Sequence, residues 1–206
     1  MEQAVPSKCR QCSQPMSTPV VCDFCHAIDA AALTTDYFQL LGLERRYDLD
    51  ERELHRRFVA LSRHAHPDFH AAESVEVQEL SLRVSAAVND AYRTLKDPAG
   101  RAAYLLELLG GKSSAEDKSV PEGFLGTMMM MQEEIADAKS RGDAREIERL
   151  RAVLTTQRDG LIRRIAGLFQ EHQEGVACQA VRTDLLDEIR KQLNAVSYVR
   201  KLLSQL

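Results

Sequence analysis

Two stretches of this chain carry residues able to do chemistry. "CRQC" at 9–12 and "CDFC" at 22–25 set Cys9, Cys12, Cys22 and Cys25 in two C-x-x-C pairs. Thiolates at that spacing on a tight turn face one cation, and two such turns complete a tetrahedral site. Structural zinc fits best, because four protein thiolates leave no open position and zinc does no redox chemistry. A rubredoxin-like iron, an iron–sulfur cluster and a redox-active dithiol stay open as alternatives. His26 adjoins Cys25 and could substitute as a ligand, but the preferred reading is a bystander. The second stretch, "SRHAHPDFH" at 62–70, sets three histidines around Pro67 and Asp68. It lacks H-E-x-x-H spacing and any further metal ligand nearby. Acid–base work by His66 with Asp68 would need a nucleophile or a phosphate loop, and the chain offers neither. On residue types alone, it is a connecting loop on the surface.

The elements around these stretches are helical. Residues 1–33, with Pro6, Pro15 and Pro19 and few large apolar side chains, cannot build an apolar core and need a metal to fold. "DYFQLLGL" predicts a short helix ending near Gly42. Asp50 with Glu53 makes a capping box, followed by Leu54, Phe58, Leu61 and Ala65 on one helix face. Pro67 stops that helix, since the residue before proline avoids the α region. A third helix carries Val77, Leu80, Val84, Ala87, Ala91 and Leu95, and a fourth runs from about Pro98 to Leu109. The polar "GKSSAEDKSVPEG" reads as a linker. Beyond it, the spacing predicts helices from about Glu122 to Arg141, through Ile147, Leu150, Leu154, Leu161, Ile165 and Leu168, and through Leu186, Ile189, Leu193, Val196 and Leu203. Short connections make them an antiparallel three-helix bundle. There is no convincing internal repeat.

Composition narrows the function classes. A net charge of −4 argues against general nucleic-acid binding, which needs a basic excess. No apolar run approaches the roughly 20 residues that span a bilayer. "MEQAVPSK" has neither an apolar core nor an Arg-rich amphipathic pattern, so the expected compartment is a bacterial cytoplasm rather than a mitochondrial matrix. Thiols in a reducing compartment favour metal over disulfides. Cys178, alone, reads as a small buried apolar residue.

Taken in order, "YFQLLGL", the basic helix with Arg52, His55, Arg56, Arg57, Arg63 and His64, then H-P-D, then "VNDAYRTLKDP" resemble the J domain over about residues 35–111. The resemblance implies an antiparallel hairpin with the HPD loop at its tip. That loop docks on the ATPase of a DnaK-type 70-kDa heat-shock chaperone and stimulates hydrolysis. It assigns His66, Pro67 and Asp68 as the essential triad, with Arg56, Arg57 and Arg63 in support. The physics agrees: proline stiffens the loop, and a cationic helix steers encounter with an acidic surface. One departure stands out, for J domains usually place a basic residue after the aspartate, where Phe69 and His70 follow here.

"DPAGRAAYLLELLGG" and the helical bundle narrow the resemblance to the HscB family over residues 35–206. These are co-chaperones of iron–sulfur cluster assembly that bring the scaffold IscU to the chaperone HscA. A tetracysteine segment is typical of mitochondrial relatives and some bacterial ones. At 100° per residue, Phe124, Met128, Met131, Ile135 and Ala138 share a core-facing arc. Gly126, Met129, Met130, Glu133 and Asp137 fall on another, with Leu125 at its border. Exposed methionines ringed by carboxylates suit a protein-binding surface, against a plain core stripe as the alternative. The resemblance assigns Leu125, Met129, Met130, Glu133 and Asp137, with Tyr198 from the last helix, to scaffold binding. Gly126 departs from the larger apolar residue usual there.

The expectation is therefore a mainly α protein. A zinc-ribbon or rubredoxin-knuckle-like module (1–33) precedes a J domain (34–111), a linker (112–121) and a C-terminal three-helix bundle (122–206). It acts as a non-enzymatic adaptor between an IscU-like scaffold and an HscA/DnaK-type ATPase, with weak homo-oligomerisation open. The alternatives are a J protein for another client, or a redox or cluster-carrying protein using the N-terminal cysteines.

Overall fold

The computed structural model describes residues 8–18, 20–174 and 179–206; Pro6, Pro19 and Cys178 lie outside them. The described residues are mainly helical. Their only extended pairings are two antiparallel bridges in the cysteine segment, Lys8 with Pro15 and Val21 with Ile28. The chain divides into two compact units, one ending at Arg101 and the other beginning at Ala102.

In the first unit, α1 (Tyr37–Leu40) starts at Asp36, whose carboxylate accepts from the Phe38 and Gln39 amides. Gly42 follows at φ +67, a conformation that favours glycine. A Cβ there would stand 2.6 Å from Nη1 of Arg57, which donates to the Gly42 carbonyl. The helix α2 (Glu51–Ala65) starts where expected, with Asp50 accepting from the Arg52 and Glu53 amides. Only that half of the capping box forms, because the Glu53 carboxylate is taken by Arg56 and Arg57. His66 leaves α2 in extended conformation, as Pro67 requires, and a 3-10 turn spans Pro67–His70.

The helix α3 (Val75–Lys96) returns alongside α2, with Phe58 stacked on Tyr92 at 4.0 Å and His55 Nδ1 2.9 Å from the Tyr92 hydroxyl. Its fully buried stripe is Ser81, Val84, Val88, Ala91 and Leu95. Val77, Leu80 and Ala87, expected there, are half-buried. The shift arises because α3 packs on α1, α2 and the 3-10 turns at once, so a wider arc is covered than one apolar stripe marks. Then α4 runs Pro98–Leu108.

The second unit holds α5 (Phe124–Arg141), α6 (Ala144–Gln173) and α7 (Gln179–Leu203). Gly142, at φ +65, ends α5, its N–H donating to the Ala138 and Lys139 carbonyls, and Asp143 caps α6 one residue later. Phe124, Met128, Ile135 and Ala138 meet Leu150 and Leu154 of early α6 and Ala195, Val199 and Leu202 of late α7. Early α6 against late α7 makes that pair antiparallel. Leu202 rather than Leu203 is fully buried, and Phe169 joins the core as well. Residues 112–121 hold no helix but are tied to α7. Lys112 pairs with Asp187 at 2.9 Å, Arg190 donates to the Lys112 carbonyl, and Asn194 donates to the carbonyls of Asp117 and Ser119.

Candidate functional site

The cysteine segment folds as the same turn made twice. Cys9 and Cys22 each receive a backbone N–H on sulfur from two residues on, Gln11 at 3.3 Å and Phe24 at 3.4 Å. Each turn closes through an N–H to the first cysteine's carbonyl, from Ser13 at 2.9 Å and His26 at 3.0 Å. Ser13 and His26 occupy the same left-handed conformation, φ 61 and 59. The two turns that the C-x-x-C spacing predicts thus share one backbone shape, although the residues between and after the cysteines differ. All four sulfurs fall within 4.8 Å of one another. Cys9–Cys25 at 3.6 Å and Cys12–Cys22 at 3.5 Å are far beyond the about 2.05 Å of a disulfide and suit the edges of a thiolate tetrahedron.

Electrostatics asks for a cation at this spot. The Cys12 amide, opposed by burial and helped by the Gln11 amide, draws the Cys9 thiol down to about 7. At Cys12 the Gln14 amide is outweighed by burial and the other three sulfurs, which push it up to about 12. Four crowded thiols cannot all ionise unless positive charge sits between them. The four cysteines are thus positioned to bind a metal ion, and no other such group of ligands occurs among the described residues. His26 stays outside the set.

At the hairpin tip, backbone bonds shape the loop. The Asp68 amide donates to His66 Nδ1 at 3.2 Å and the Phe69 amide to the His66 carbonyl at 3.0 Å. Buried His70 ties back through Nε2, 2.8 Å from the His64 carbonyl, closing the loop at its base. The triad points outward: the side chains of His66 and Asp68 are 57% and 92% exposed. Phe58, Val59, Ser62, Arg63, His66, Asp68 and Phe69 line a shallow groove beside it. Of the three supporting arginines, Arg63 is exposed and lines this groove. Arg56 is exposed but paired with Glu53, whereas Arg57 is committed internally to Glu53 and the Gly42 carbonyl.

Sequence reasoning passed over the loop's neighbours. The His26 ring stacks on His64 with centroids 4.4 Å apart and planes 2° from parallel. Phe69 sets its edge against both, at 5.6 and 5.5 Å. Burial, then the neighbouring His26 and Arg63, holds the His64 ring below its ordinary pKa. Val59, 51% exposed in the groove, was likewise missed. Its signal was available: a bulky apolar residue on the basic side of α2.

In the second unit, Leu125, Met129 and Met130 of α5 and Tyr198 of α7 are 48, 65, 60 and 46% exposed. Glu133 and Asp137 are exposed further along α5. Tyr198 meets Phe124 edge-on at 6.2 Å, which brings it to the start of α5 near Leu125. Phe124, Met128, Ile135 and Ala138 turn inward as expected, with Met131 half-buried.

Comparison with known proteins gives this arrangement its family. Residues 36–104 match the DnaJ domain and residues 120–206 the HscB C-terminal oligomerisation domain. A co-chaperone protein HscB homolog of Ralstonia nicotianae is 33% identical over 148 residues, covering 71% of this chain and 84% of that one. The chain belongs to the HscB co-chaperone family. An HscB homolog of Neisseria meningitidis is 31% identical over 163 residues, 78% of this chain and 98% of the other. Among solved structures, human HscB superposes with a TM-score of 0.78 at 24% identity, covering 96% of this chain and 95% of that one, a likeness of fold. Vibrio cholerae HscB gives 0.67 at 26% identity over 83% of this chain and 94% of that one. As an HscB-type J-domain protein the chain is a co-chaperone, a family role that implies a 70-kDa heat-shock chaperone as partner. No helix among the described residues is long and apolar enough to cross a membrane.

Proposed function

We propose that this HscB-family chain binds an IscU-like iron–sulfur scaffold through its C-terminal bundle and delivers it to an HscA/DnaK-type chaperone in a bacterial cytoplasm. Layout follows function: 1–33 a zinc module, 34–111 the J domain, 112–121 a connecting strap and 122–206 the client bundle. The observation that carries the reading is the HPD loop, closed at its base by His70 and presenting His66 and Asp68 to solvent beside exposed Arg63. Docking there accelerates ATP hydrolysis on the chaperone, and the bond-breaking belongs to the partner. Arg63 and Arg56 steer the encounter, while Arg57 contributes by holding α2 to Gly42. The client side rests on Leu125, Met129, Met130 and Tyr198, an apolar patch of adaptable side chains, with Glu133 and Asp137 supplying charge. A relative from mouse, 37% identical over 128 residues, is named an iron-sulfur cluster co-chaperone, which supports the choice of client. Structural zinc suits the closed four-sulfur set.

The deciding experiment is the steady-state ATPase rate of the chaperone with wild type and with His66→Gln, each with and without scaffold. Synergy with scaffold that vanishes in His66→Gln is the expected result. Stimulation that needs His66 but ignores scaffold would leave a J protein with another client. No stimulation of any chaperone would sink the reading.

A further inference from the structure

The cysteine module and the HPD loop meet in one aromatic cluster. His26 is the residue that closes the second cysteine turn, its N–H bound to the Cys22 carbonyl at 3.0 Å and its backbone left-handed at φ 59. The conformation of that turn therefore fixes where the His26 ring stands. The ring lies flat on His64, two residues before the triad, and meets the edge of Phe69, the residue after it. Phe69 also meets His64 and His70, at 5.5 and 5.3 Å. His64 and His70 are in turn joined by the 2.8 Å bond that closes the loop. His64, Phe69 and His70, which bracket the triad, thus belong to a cluster whose outermost member sits on a metal-binding turn. Around the stack, Ser17, Thr18, Val21, Asp23 and Cys22 face Leu41, Ala60 and Leu61 across a cavity of about 240 Å³, so the module bears on α2 beside the loop. Thr18 and Cys22, at 8% and 0% exposed, form the buried floor of this cavity, and Ser17, Asp23 and Ala60 its exposed rim.

We infer that the tetracysteine module is a metal-dependent brace for the HPD loop, with His26 as the positioning residue. Its consequence for chaperone docking rests on the function proposed above; the brace itself is a property of the chain. With metal bound, the second turn is locked and the His26 ring backs His64 and Phe69, so the loop is held in its docking shape beforehand. Without metal, nothing ties the four sulfurs together, the turn loses its fixed shape, and the loop keeps only its own bonds and ring contacts.

The test is amide hydrogen exchange by NMR on the full-length zinc-loaded chain, read at Asp68, Phe69 and Glu73, with zinc content measured on every sample. His26→Asn removes the ring with a residue that tolerates positive φ. His64→Ala breaks the same stack from the helix side, and His64→Phe restores a ring. We expect His26→Asn and His64→Ala to exchange about two- to tenfold faster at these amides, the factor one aromatic pair is worth, and His64→Phe to return near wild type. A zinc chelator should produce the same loosening in wild type and add little in His26→Asn. The concentration giving half-maximal ATPase stimulation should rise by a similar factor in the two ring-removing variants. Unchanged loop exchange in zinc-bound His26→Asn and His64→Ala overturns the brace, as does loop protection that survives chelation. If His26→Asn sheds its zinc, His64→Ala and its rescue decide alone. A wild type that stimulates no chaperone counts against the proposed function, while the exchange data still decide the brace.

Discussion

From His66 to His70 the chain is held by a proline, two backbone-donated bonds, a histidine clasp and three aromatic rings. On α5, Met129 and Met130 stand on a regular helix with their side chains in solvent. Both regions present the groups assigned to partners, yet one fixes its shape before binding and the other leaves rotamers free. A loop proposed to trigger a partner's ATPase gains from arriving in one conformation, since ordering it on contact would subtract from affinity. A client surface gains from thioether side chains that mould to what they meet. The difference therefore predicts that the two sites fail in different ways when altered.

The sharpest test of that contrast is Asp68→Asn. The carboxylate is 92% exposed and its contact with His66 Nδ1 is a loose 3.6 Å, so the fold should be untouched. Stimulation of the chaperone ATPase should fall to the unstimulated rate, with scaffold affinity unchanged by calorimetry. Met129→Glu should do the reverse. A carboxylate forced into an apolar contact costs about 2 kcal/mol, so scaffold affinity should fall about thirtyfold. Stimulation without scaffold should stay intact. Cross-effects, with either variant harming both activities, would mean that the two sites are not independent.

Legibility followed the same divide. The position of the loop at 66–70 and the four cysteines were readable because proline, C-x-x-C spacing and helix stops act locally, through backbone geometry over a few residues, whereas the loop's role came only from the J-domain resemblance. The exposure of Met129 and Met130 followed from helical periodicity alone. What stayed hidden depends on contacts far apart in sequence. The His26–His64 stack joins a metal turn to α2, and nothing near either residue announces it. Arg57 looked like its neighbours Arg56 and Arg63, but Gly42, fifteen residues back, claims it. Ser81 is buried because α3 is covered by four elements, α1, α2 and the two 3-10 turns. The polar stretch 112–121 read as linker, and its carbonyls turn out to be bound by Asn194 and Arg190. Asn194 between Leu193 and Ala195, within an apolar helix face, was the available clue.

A smaller effect separates structural from docking arginines. Arg57→Ala should lower stability by about 1 kcal/mol, because it leaves the Gly42 carbonyl without its donor and removes one of the two arginines on Glu53, Arg56 keeping the other oxygen. Thermal unfolding would register this with little change in docking once the protein is folded. Arg63→Ala should leave the melting temperature alone and slow association with the chaperone a few-fold, a deficit that shrinks as salt rises. Equal losses of stability in both variants would contradict the internal role given to Arg57.

The smallest expected effect concerns the strap that binds α7, the helix presenting Tyr198. Hydrogen bonds from the Ser119 hydroxyl and amide hold the Asp117 carboxyl below its ordinary range, and the Ser113 amide does the same for Glu116. A carboxyl depressed in the folded state adds stability that is present above its unfolded value and lost as pH falls through the folded one. The strap should thus keep its protection at neutral pH and lose it only in acid, below the 3.8 and 4.5 ordinary for these groups. Both carboxyls lie at the surface, so solvent screens the gain and the shift in stability should be slight. Carboxyl titrations by NMR, with exchange at the Ser113 and Ser119 amides followed in parallel, would measure it. Midpoints at or above the ordinary values would show that the strap is held by Asn194 and Arg190 alone. Midpoints below them, with amide protection lost in step, would place the carboxylates among the groups that keep α7 and its tyrosine in place.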